Sequence, residues 1–152
     1  LGLAFDLERQ PLMISVLVVD AQPLQRCGFR MLLESTPDTE IVGEAENGAE
    51  AVRRTTELHP DVVLMDIHMP GMSGIELVQQ LRRGHGPNRT TPVIALTADV
   101  LTRSKQDYLA LGFNDFVSKP ILVSRLLGAL TRATAKDGAP ALSAVAAVAS
   151  RR

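Results

Sequence analysis

The sequence predicts an α/β protein built on a doubly wound sheet of five parallel strands. Four short runs rich in β-branched and aliphatic residues have the length of strands, at positions 14–19, 41–45, 62–65 and 93–96, and a weaker fifth run lies at 116–117. A segment with apolar residues at helical spacing follows each run. Because strands and helices alternate five times, a parallel sheet with right-handed crossovers is expected.

The strand runs are apolar without alternation, as residues 16–19 and 62–65 illustrate. Such runs are typical of strands covered on both faces, so helices are expected above and below the sheet. The side chains predicted to form the apolar faces of the successive helices are Leu24, Met31 and Leu32, then Ala49, Val52 and Leu58, then Ile75, Val78 and Leu81, then Leu101, Tyr108 and Leu111, and finally Leu122, Leu126 and Leu130.

Residues typical of helix ends agree with this order of elements. Pro23 suits the first turn of the first helix, and Ser73 is expected to cap the third. Asp99 is expected to cap the fourth helix and Gly112 to end it. These signals divide the chain into the same five strand–helix units.

The composition excludes several classes of protein. The chain has 152 residues, 45% of them hydrophobic and 22% charged, which suits one domain of ordinary size. Its net charge of -1 gives no general attraction to nucleic acid or to an anionic membrane. The apolar runs are far shorter than the roughly 20 residues of a membrane span. We therefore expect a cytoplasmic protein whose domain binds neither nucleic acid nor membrane.

Cys27 is the only cysteine of the chain. A lone cysteine excludes an intrachain disulfide and a zinc cluster of several thiolates. It lies on the predicted first helix, where we expect a small buried apolar side chain.

The two ends of the chain lack the alternating pattern. Residues 1–12 are expected to be a linker or a remnant outside the domain, and the missing initiator methionine favours a piece of a longer protein. Residues 13–135 form the predicted domain. Residues 136–152 are rich in alanine and are expected to form a flexible tail.

Polar residues follow the apolar runs where each strand is expected to end. They are Asp20, Asp66, Thr97 and Lys119. In an open parallel sheet the ligand crevice lies outside the carboxyl ends of the strands, so these side chains should converge. A carboxylate nucleophile, a second acid for a hard cation, and a hydroxyl and an ammonium for phosphoryl oxygens suit phosphoryl chemistry.

Residues 61–74, DVVLMDIHMPGMSG, resemble the phosphoacceptor signature of bacterial two-component receiver domains. Pro70 and Gly74 stand four and eight residues beyond Asp66, as in that signature. Three further blocks match in order, namely residues 16–20 (VLVVD), 95–98 (ALTA) and 116–120 (FVSKP).

The four blocks span almost all of residues 13–135, and their agreement in register makes the resemblance specific. It implies the flavodoxin-like receiver fold of the chemotaxis regulators, with strand order 2-1-3-4-5. Residues 94–98 and 118–120 resemble receivers at the C-terminus of hybrid histidine kinases. Residues 41–48 instead resemble those of DNA-binding response regulators, so the parent architecture stays open.

The resemblance implies a role for each residue of the phosphoryl site. Asp66 would accept a phosphoryl group from the phosphohistidine of a histidine kinase, and Thr97 and Lys119 would contact its oxygens. The Lys119–Pro120 peptide would be cis. Phe116 falls where receivers place a switch aromatic that responds when Thr97 moves.

The resemblance also implies a magnesium site, held by Asp20, Asp66 and the backbone carbonyl of His68. Receivers normally carry a second acid directly after the first, and here Ala21 stands in its place. Magnesium is often held by only one or two carboxylates, so this replacement should weaken the site without abolishing it. Nearby side chains that could compensate are Gln22, Glu46 and Asp99.

By the same resemblance, His68 and Asp99 flank the path by which water reaches the aspartyl phosphate. Protonated His68 is expected to pair with Asp99 across the mouth of the pocket and to slow hydrolysis. The lifetime of the phosphorylated state should then depend on both side chains.

Three functions compete at this point. The leading one is a phosphoacceptor signalling domain, not an enzyme, which exchanges phosphoryl groups with a histidine kinase or phosphotransfer domain and signals to a downstream protein. The alternative is a pseudo-receiver that binds partners without phosphorylation, because Ala21 removes a metal ligand. A nucleotide or flavin enzyme is disfavoured because no glycine-rich phosphate-binding motif follows a strand.

Overall fold

The computed structural model describes residues 13–69, 71–84, 86–99 and 101–135. Their strands form a five-stranded parallel sheet in the order β2-β1-β3-β4-β5, which confirms the predicted fold class and strand order. The strands are β1 (Ile14–Val19), β2 (Thr39–Ala45), β3 (Val62–Asp66), β4 (Val93–Thr97) and β5 (Asp115–Ser118).

Five α-helices connect and follow the strands. They are α1 (Pro23–Glu34), α2 (Gly48–Leu58), α3 (Gly74–Arg83), α4 (Lys105–Leu111) and α5 (Val123–Thr134), with a short 3₁₀ turn at Pro87–Arg89 before β4. One core joins the sheet to α1 and α5, through side chains such as Leu33 and Leu126. The other joins it to α2, α3 and α4, through side chains such as Leu77 and Tyr108. Both faces of the sheet are therefore covered.

The apolar face predicted for α1 is wrong at two of its three side chains, and the third is partly buried against the core. Leu24 and Met31 are 83% and 68% exposed, whereas Phe29 and Leu33 are buried against the sheet. The helix carries apolar side chains on two faces. Because Phe29 and Leu33 fill the core, the helix is rotated about its axis so that the other face points to solvent. Cys27 is exposed, not buried as expected, because it shares the solvent side of the helix.

The other predicted helix faces are correct in their centres and wrong at their starts. Val78, Leu81, Tyr108, Leu126 and Leu130 are buried as expected. The residues that contradict the prediction are Ala49, Leu101 and Leu122, all exposed. The last two precede their helices, so the apolar pattern was extended too far toward the N-terminus.

Most of the predicted helix ends are confirmed. Pro23 lies in the first turn of α1, the Ser73 hydroxyl accepts a hydrogen bond from the Glu76 amide, and Gly112 ends α4 at a φ of 112°.

The predicted cap of α4 is wrong. That helix begins at Lys105 and is capped by Ser104, in a reciprocal arrangement with Asp107. Asp99 instead accepts amide hydrogen bonds from Leu101 and Thr102, in the loop before the helix. Serine and aspartate are both favourable N-cap residues, so residue type does not choose between Ser104 and Asp99. The length of the loop after β4 decides which of them precedes the helix.

The predictions for residues 1–12 and 136–152 lie outside the described residues. Within the part of the chain that is described, no helix is long and apolar enough to cross a membrane.

Candidate functional site

The carboxyl ends of β1, β3, β4 and β5 bring together the four polar residues that the sequence singles out. Asp20 directly follows β1, Asp66 and Thr97 end β3 and β4, and Lys119 directly follows β5. The first three are 0%, 4% and 1% exposed. The carboxyl ends of these four strands thus place polar side chains at the edge where the sheet opens to the crevice.

Asp66 and Lys119 form an ion pair at this edge. The Lys119 Nζ atom lies 3.3 Å from Asp66 Oδ1, and the side chains are 25% and 6% exposed. The His68 amide donates to the same carboxylate oxygen at 3.2 Å. The Lys119 amide donates to the Thr97 carbonyl at 2.7 Å, and the Lys119–Pro120 peptide is cis. Backbone contacts therefore hold the lysine beside the carboxylate.

Asp20 is the most deeply buried acid of the site. Its Oδ1 atom accepts a hydrogen bond from the Gln22 amide at 2.9 Å, whereas Oδ2 is buried and has no hydrogen-bond partner among the described residues. Burial raises the pKa of this carboxyl, against the lowering effect of the Gln22 hydrogen bond, and the nearby charge of Asp66 raises the pKa further. Lys119 is one of the cations that oppose this rise.

The donor set fits a hard cation with oxygen ligands. The carboxylates of Asp20 and Asp66 are close enough at the sheet edge for the charge of one to raise the pKa of the other. The buried Asp20 Oδ2 atom lacks the hydrogen-bond partner that such an atom normally has. Ala21 contributes a methyl group that packs against the core. In the described ranges, no three acidic, histidine or cysteine side chains are grouped so that they could hold a metal ion by themselves. A magnesium ion there would keep several water ligands.

The three side chains near the position of the missing acid are either hydrogen-bonded to other groups or exposed to solvent. The Gln22 side-chain oxygen accepts a hydrogen bond from Gln25. Glu46 is exposed. Asp99 uses a carboxylate oxygen to bind the backbone of its own loop.

Thr97 is linked to the predicted switch aromatic through the loop after β4. Its hydroxyl donates to the Asp99 carbonyl at 3.2 Å, and the Tyr108 hydroxyl donates to the same oxygen at 3.4 Å. The Tyr108 ring stacks on Phe116 with centroids 5.0 Å apart. Sequence reasoning placed Tyr108 on a helix face without a functional role. The hydroxyl group is the feature of the sequence that indicates this contact, since a buried tyrosine normally finds a hydrogen-bond partner.

The expected pair between His68 and Asp99 is not formed in the described structure. Hydrogen bonds from Thr102 hold the pKa of Asp99 below its usual range, and they direct this half-buried side chain to its own loop. His68 is exposed. Its backbone amide, and not its ring, contacts the Asp66 carboxylate.

The chain also resembles known proteins across this site. It is 46% identical over 85 residues to the transcriptional regulatory protein YdfI of Bacillus subtilis, a match that covers 56% of the chain and 38% of YdfI. The chain thus spans less than two fifths of that relative.

Two solved receiver structures have similar folds. The response regulator domain of Thermotoga maritima CheB matches with a TM-score of 0.71 and 33% identity, over 82% of this chain and 98% of that one. The receiver domain of the sensor histidine kinase PA1611 of Pseudomonas aeruginosa matches with a TM-score of 0.70 and 27% identity, over 80% of this chain and 98% of that one. That structure has magnesium coordinated in its active site cleft. The model of the response regulator receiver domain matches residues 16–131. The chain belongs to the receiver domain family of response regulators.

Proposed function

We propose that the domain formed by residues 13–135 is a phosphoacceptor of a two-component phosphorelay and that Asp66 takes the phosphoryl group. The observation that carries the proposal is the ion pair between the nearly buried Asp66 carboxylate and the Lys119 ammonium, 3.3 Å apart at the open edge of the sheet. A carboxylate needs such a cation beside it to approach an anionic phosphoryl donor.

The proposed reaction is a phosphoryl transfer to a carboxylate. An oxygen of Asp66 attacks the phosphorus atom of a phosphohistidine, forming a P–O bond while the P–N bond breaks. The electron pair of that bond stays on the imidazole nitrogen of the donor. Lys119 neutralises charge on the transferring oxygens, and Thr97 binds one of them after transfer.

Asp20, Asp66 and the His68 carbonyl would hold magnesium. When bound, the ion supplies positive charge against the phosphoryl oxygens. The unpartnered Asp20 Oδ2 atom supports this assignment, and the related PA1611 receiver has magnesium in its cleft. Ala21 leaves the ligand set one carboxylate short, so we propose weaker binding than two adjacent acids would give.

The phosphoryl donor would be a histidine kinase or a phosphotransfer domain, in the cytoplasm. It would lie in a separate protein or, as in a hybrid histidine kinase, in the same chain. The downstream partner would be a protein that binds the surface changed by phosphorylation. The contacts from Thr97 through Asp99 and Tyr108 to Phe116 support that route of change, since a moved threonine hydroxyl would release the Asp99 carbonyl. The domain itself would signal and not act as an enzyme.

The residue at position 21 favours a second candidate function, that of a pseudo-receiver. Ala21 packs its methyl group against the core where the family has a metal-binding acid. A pseudo-receiver would use the same fold to bind a protein partner without phosphorylation. The two candidates differ in whether Asp66 reacts.

The deciding experiment is to incubate the protein with acetyl phosphate, with and without magnesium, and to measure its intact mass. The proposed function predicts one added phosphoryl group that depends on magnesium. A pseudo-receiver predicts none, and the Ala21→Asp variant then tests the cause. Phosphorylation of that variant alone would trace the inactivity to position 21.

A further inference from the structure

The Lys119 ammonium has a second contact, which the phosphoryl chemistry above does not assign. Its Nζ atom donates to the Gln25 side-chain oxygen at 3.2 Å and to Asp66 Oδ1 at 3.3 Å. Gln25 lies in the first turn of α1, 94 positions from Lys119 along the chain. The ammonium is therefore held between a carboxylate on β3 and an amide oxygen on α1.

A neighbouring glutamine fixes the orientation of Gln25. The amide of a glutamine has one donor end and one acceptor end. The Nε2 atom of Gln25 donates to Gln22 Oε1 at 3.0 Å, which leaves its oxygen for Lys119. The Gln22 backbone amide in turn donates to Asp20 Oδ1 at 2.9 Å. The two glutamines thus link the acidic pocket to the lysine.

The hydrogen bond from Lys119 to Gln25 matters because the ammonium group has few other restraints. A lysine stem is flexible, and the side chain is 25% exposed. Ala21 offers no side-chain oxygen to the ammonium. A second acceptor reduces the freedom of the ammonium, and a neutral one does so without adding a negative charge beside the two acids.

We propose that Gln25 is a positioning residue that holds the Lys119 ammonium against the Asp66 carboxylate. Gln25 acts through Lys119. Its effect on rate rests on the proposed phosphoryl transfer, whereas the anchoring is a property of the resting protein. The two parts can therefore be tested separately.

Anchoring is tested by competitive lysine labelling. The protein is treated with a limiting amount of an acetylating reagent, and the ratio of modified Lys119 to modified Lys105 is measured by peptide mass spectrometry, since Lys105 is exposed. Gln25→Met should raise this ratio about three- to tenfold, the effect of one lost hydrogen bond. Gln25→Glu, which keeps an oxygen, should restore a ratio at or below that of the wild type.

The matched control is Gln80→Met, on the exposed side of α3. It should leave the ratio unchanged, and methionine is a good helix former at both positions. An unchanged ratio in Gln25→Met, with the fold intact by circular dichroism, overturns the anchoring.

The consequence for rate is tested with acetyl phosphate and magnesium. Gln25→Met should slow phosphorylation about three- to tenfold at saturating donor, and it should have no further effect in a Lys119→Ala protein. An equal effect in that background overturns the proposal, because Gln25 would then act elsewhere. A wild-type protein that takes no phosphoryl group overturns the proposed function, while the labelling ratio still decides the anchoring.

Discussion

At the scale of single residues, Asp20 lies where a negative charge is unfavourable. It is fully buried and one of its oxygens has no hydrogen-bond partner in the described structure. Burial raises its pKa above the ordinary 3.8. An acid with a raised pKa binds protons more tightly in the folded protein, so the stability that it contributes is lost as the pH rises from 3.8 through the folded pKa.

The Asp20→Asn variant should therefore be more stable than the wild type at pH 7 without divalent cations. The amide keeps an oxygen for the Gln22 amide and removes the charge. We expect a gain in the free energy of unfolding on the order of 1 kcal/mol, because the variant removes a buried charge and its repulsion with Asp66. Urea unfolding at pH 7 and at pH 3 measures it. The difference should shrink at pH 3, and a variant less stable at pH 7 would show that the charge is compensated.

Ala21 should limit the affinity for magnesium. Ala21→Asp adds a ligand oxygen, at the cost of repulsion with Asp20 and Asp66, and should lower the Kd for magnesium roughly tenfold, which corresponds to about 1.4 kcal/mol. Isothermal titration of the wild type and the variant with magnesium measures the change. No gain in affinity would mean that another group already fills the ligand position. Removing the ion with a chelator should return both proteins to their magnesium-free stability.

At the scale of elements, Gly74 allows α3 to begin beside the backbone of Asp66 and Ile67. A Cβ atom at this position would lie 2.7 Å from the Asp66 carbonyl oxygen and 2.8 Å from the Ile67 Cα atom. Both are backbone atoms, and the Gly74 amide donates to the Ile67 carbonyl at 2.9 Å. The absence of a side chain at Gly74 thus lets the start of α3 pack closely against the end of β3.

Gly74→Ala should destabilise the protein by about 1–3 kcal/mol, the range for overpacking a core, and should also slow phosphorylation by displacing Asp66. Gly28→Ala is the matched control, because nothing lies within 4 Å of a Cβ atom there. Alanine in that exposed turn of α1 should stabilise the protein by about 0.5–1 kcal/mol. Chemical denaturation compares the two. Equal changes in the free energy of unfolding for the two variants would show that close packing of Gly74 against the Asp66 backbone does not affect stability.

Arg82, in the last turn of α3, joins that helix to the loops before β4 and β5. Its guanidinium donates to the carbonyls of Asn88, Thr91 and Gly112 at 3.1, 2.7 and 2.9 Å. Burial of the guanidinium lowers its pKa. This one side chain thus satisfies backbone acceptors of two loops.

Arg82→Met should lower the free energy of unfolding by about 2–3 kcal/mol, because several carbonyls lose a charged donor. Arg83→Met, one residue on and exposed, should change it by less than about 0.5 kcal/mol. Thermal unfolding of both variants checks the contrast. A loss of similar size in the two would remove the special role of Arg82.

The rotation of α1 shows where prediction from sequence stops at this scale. Leu24 and Met31 are as apolar as Phe29 and Leu33, so the pattern does not choose the buried face. The choice is made by the fit of Phe29 and Leu33 into the core beneath the sheet. Strand positions were predictable to within one or two residues because short runs rich in aliphatic residues, bounded by helical patterns, have few other uses.

At the scale of the whole molecule, the parallel sheet brings residues 20 and 119 into one crevice. Asp20, Asp66, Thr97 and Lys119 could be predicted to converge because each ends a strand, and strand ends share an edge. Gln25 could not be predicted, since its contact depends on the rotation of α1 and joins residues 94 positions apart. The convergence of the strand ends is therefore predictable from sequence, whereas contacts between helices and loops are not.

The central claim is that Asp66 is the acceptor. The most direct test compares the wild type with Asp66→Asn by intact mass after incubation with acetyl phosphate and magnesium, with circular dichroism to confirm equal folding. Asparagine keeps the shape of the side chain and loses the nucleophilic oxygen. The account predicts one phosphoryl group on the wild type and none on the variant. Equal incorporation in both proteins, or none in the wild type, would contradict it.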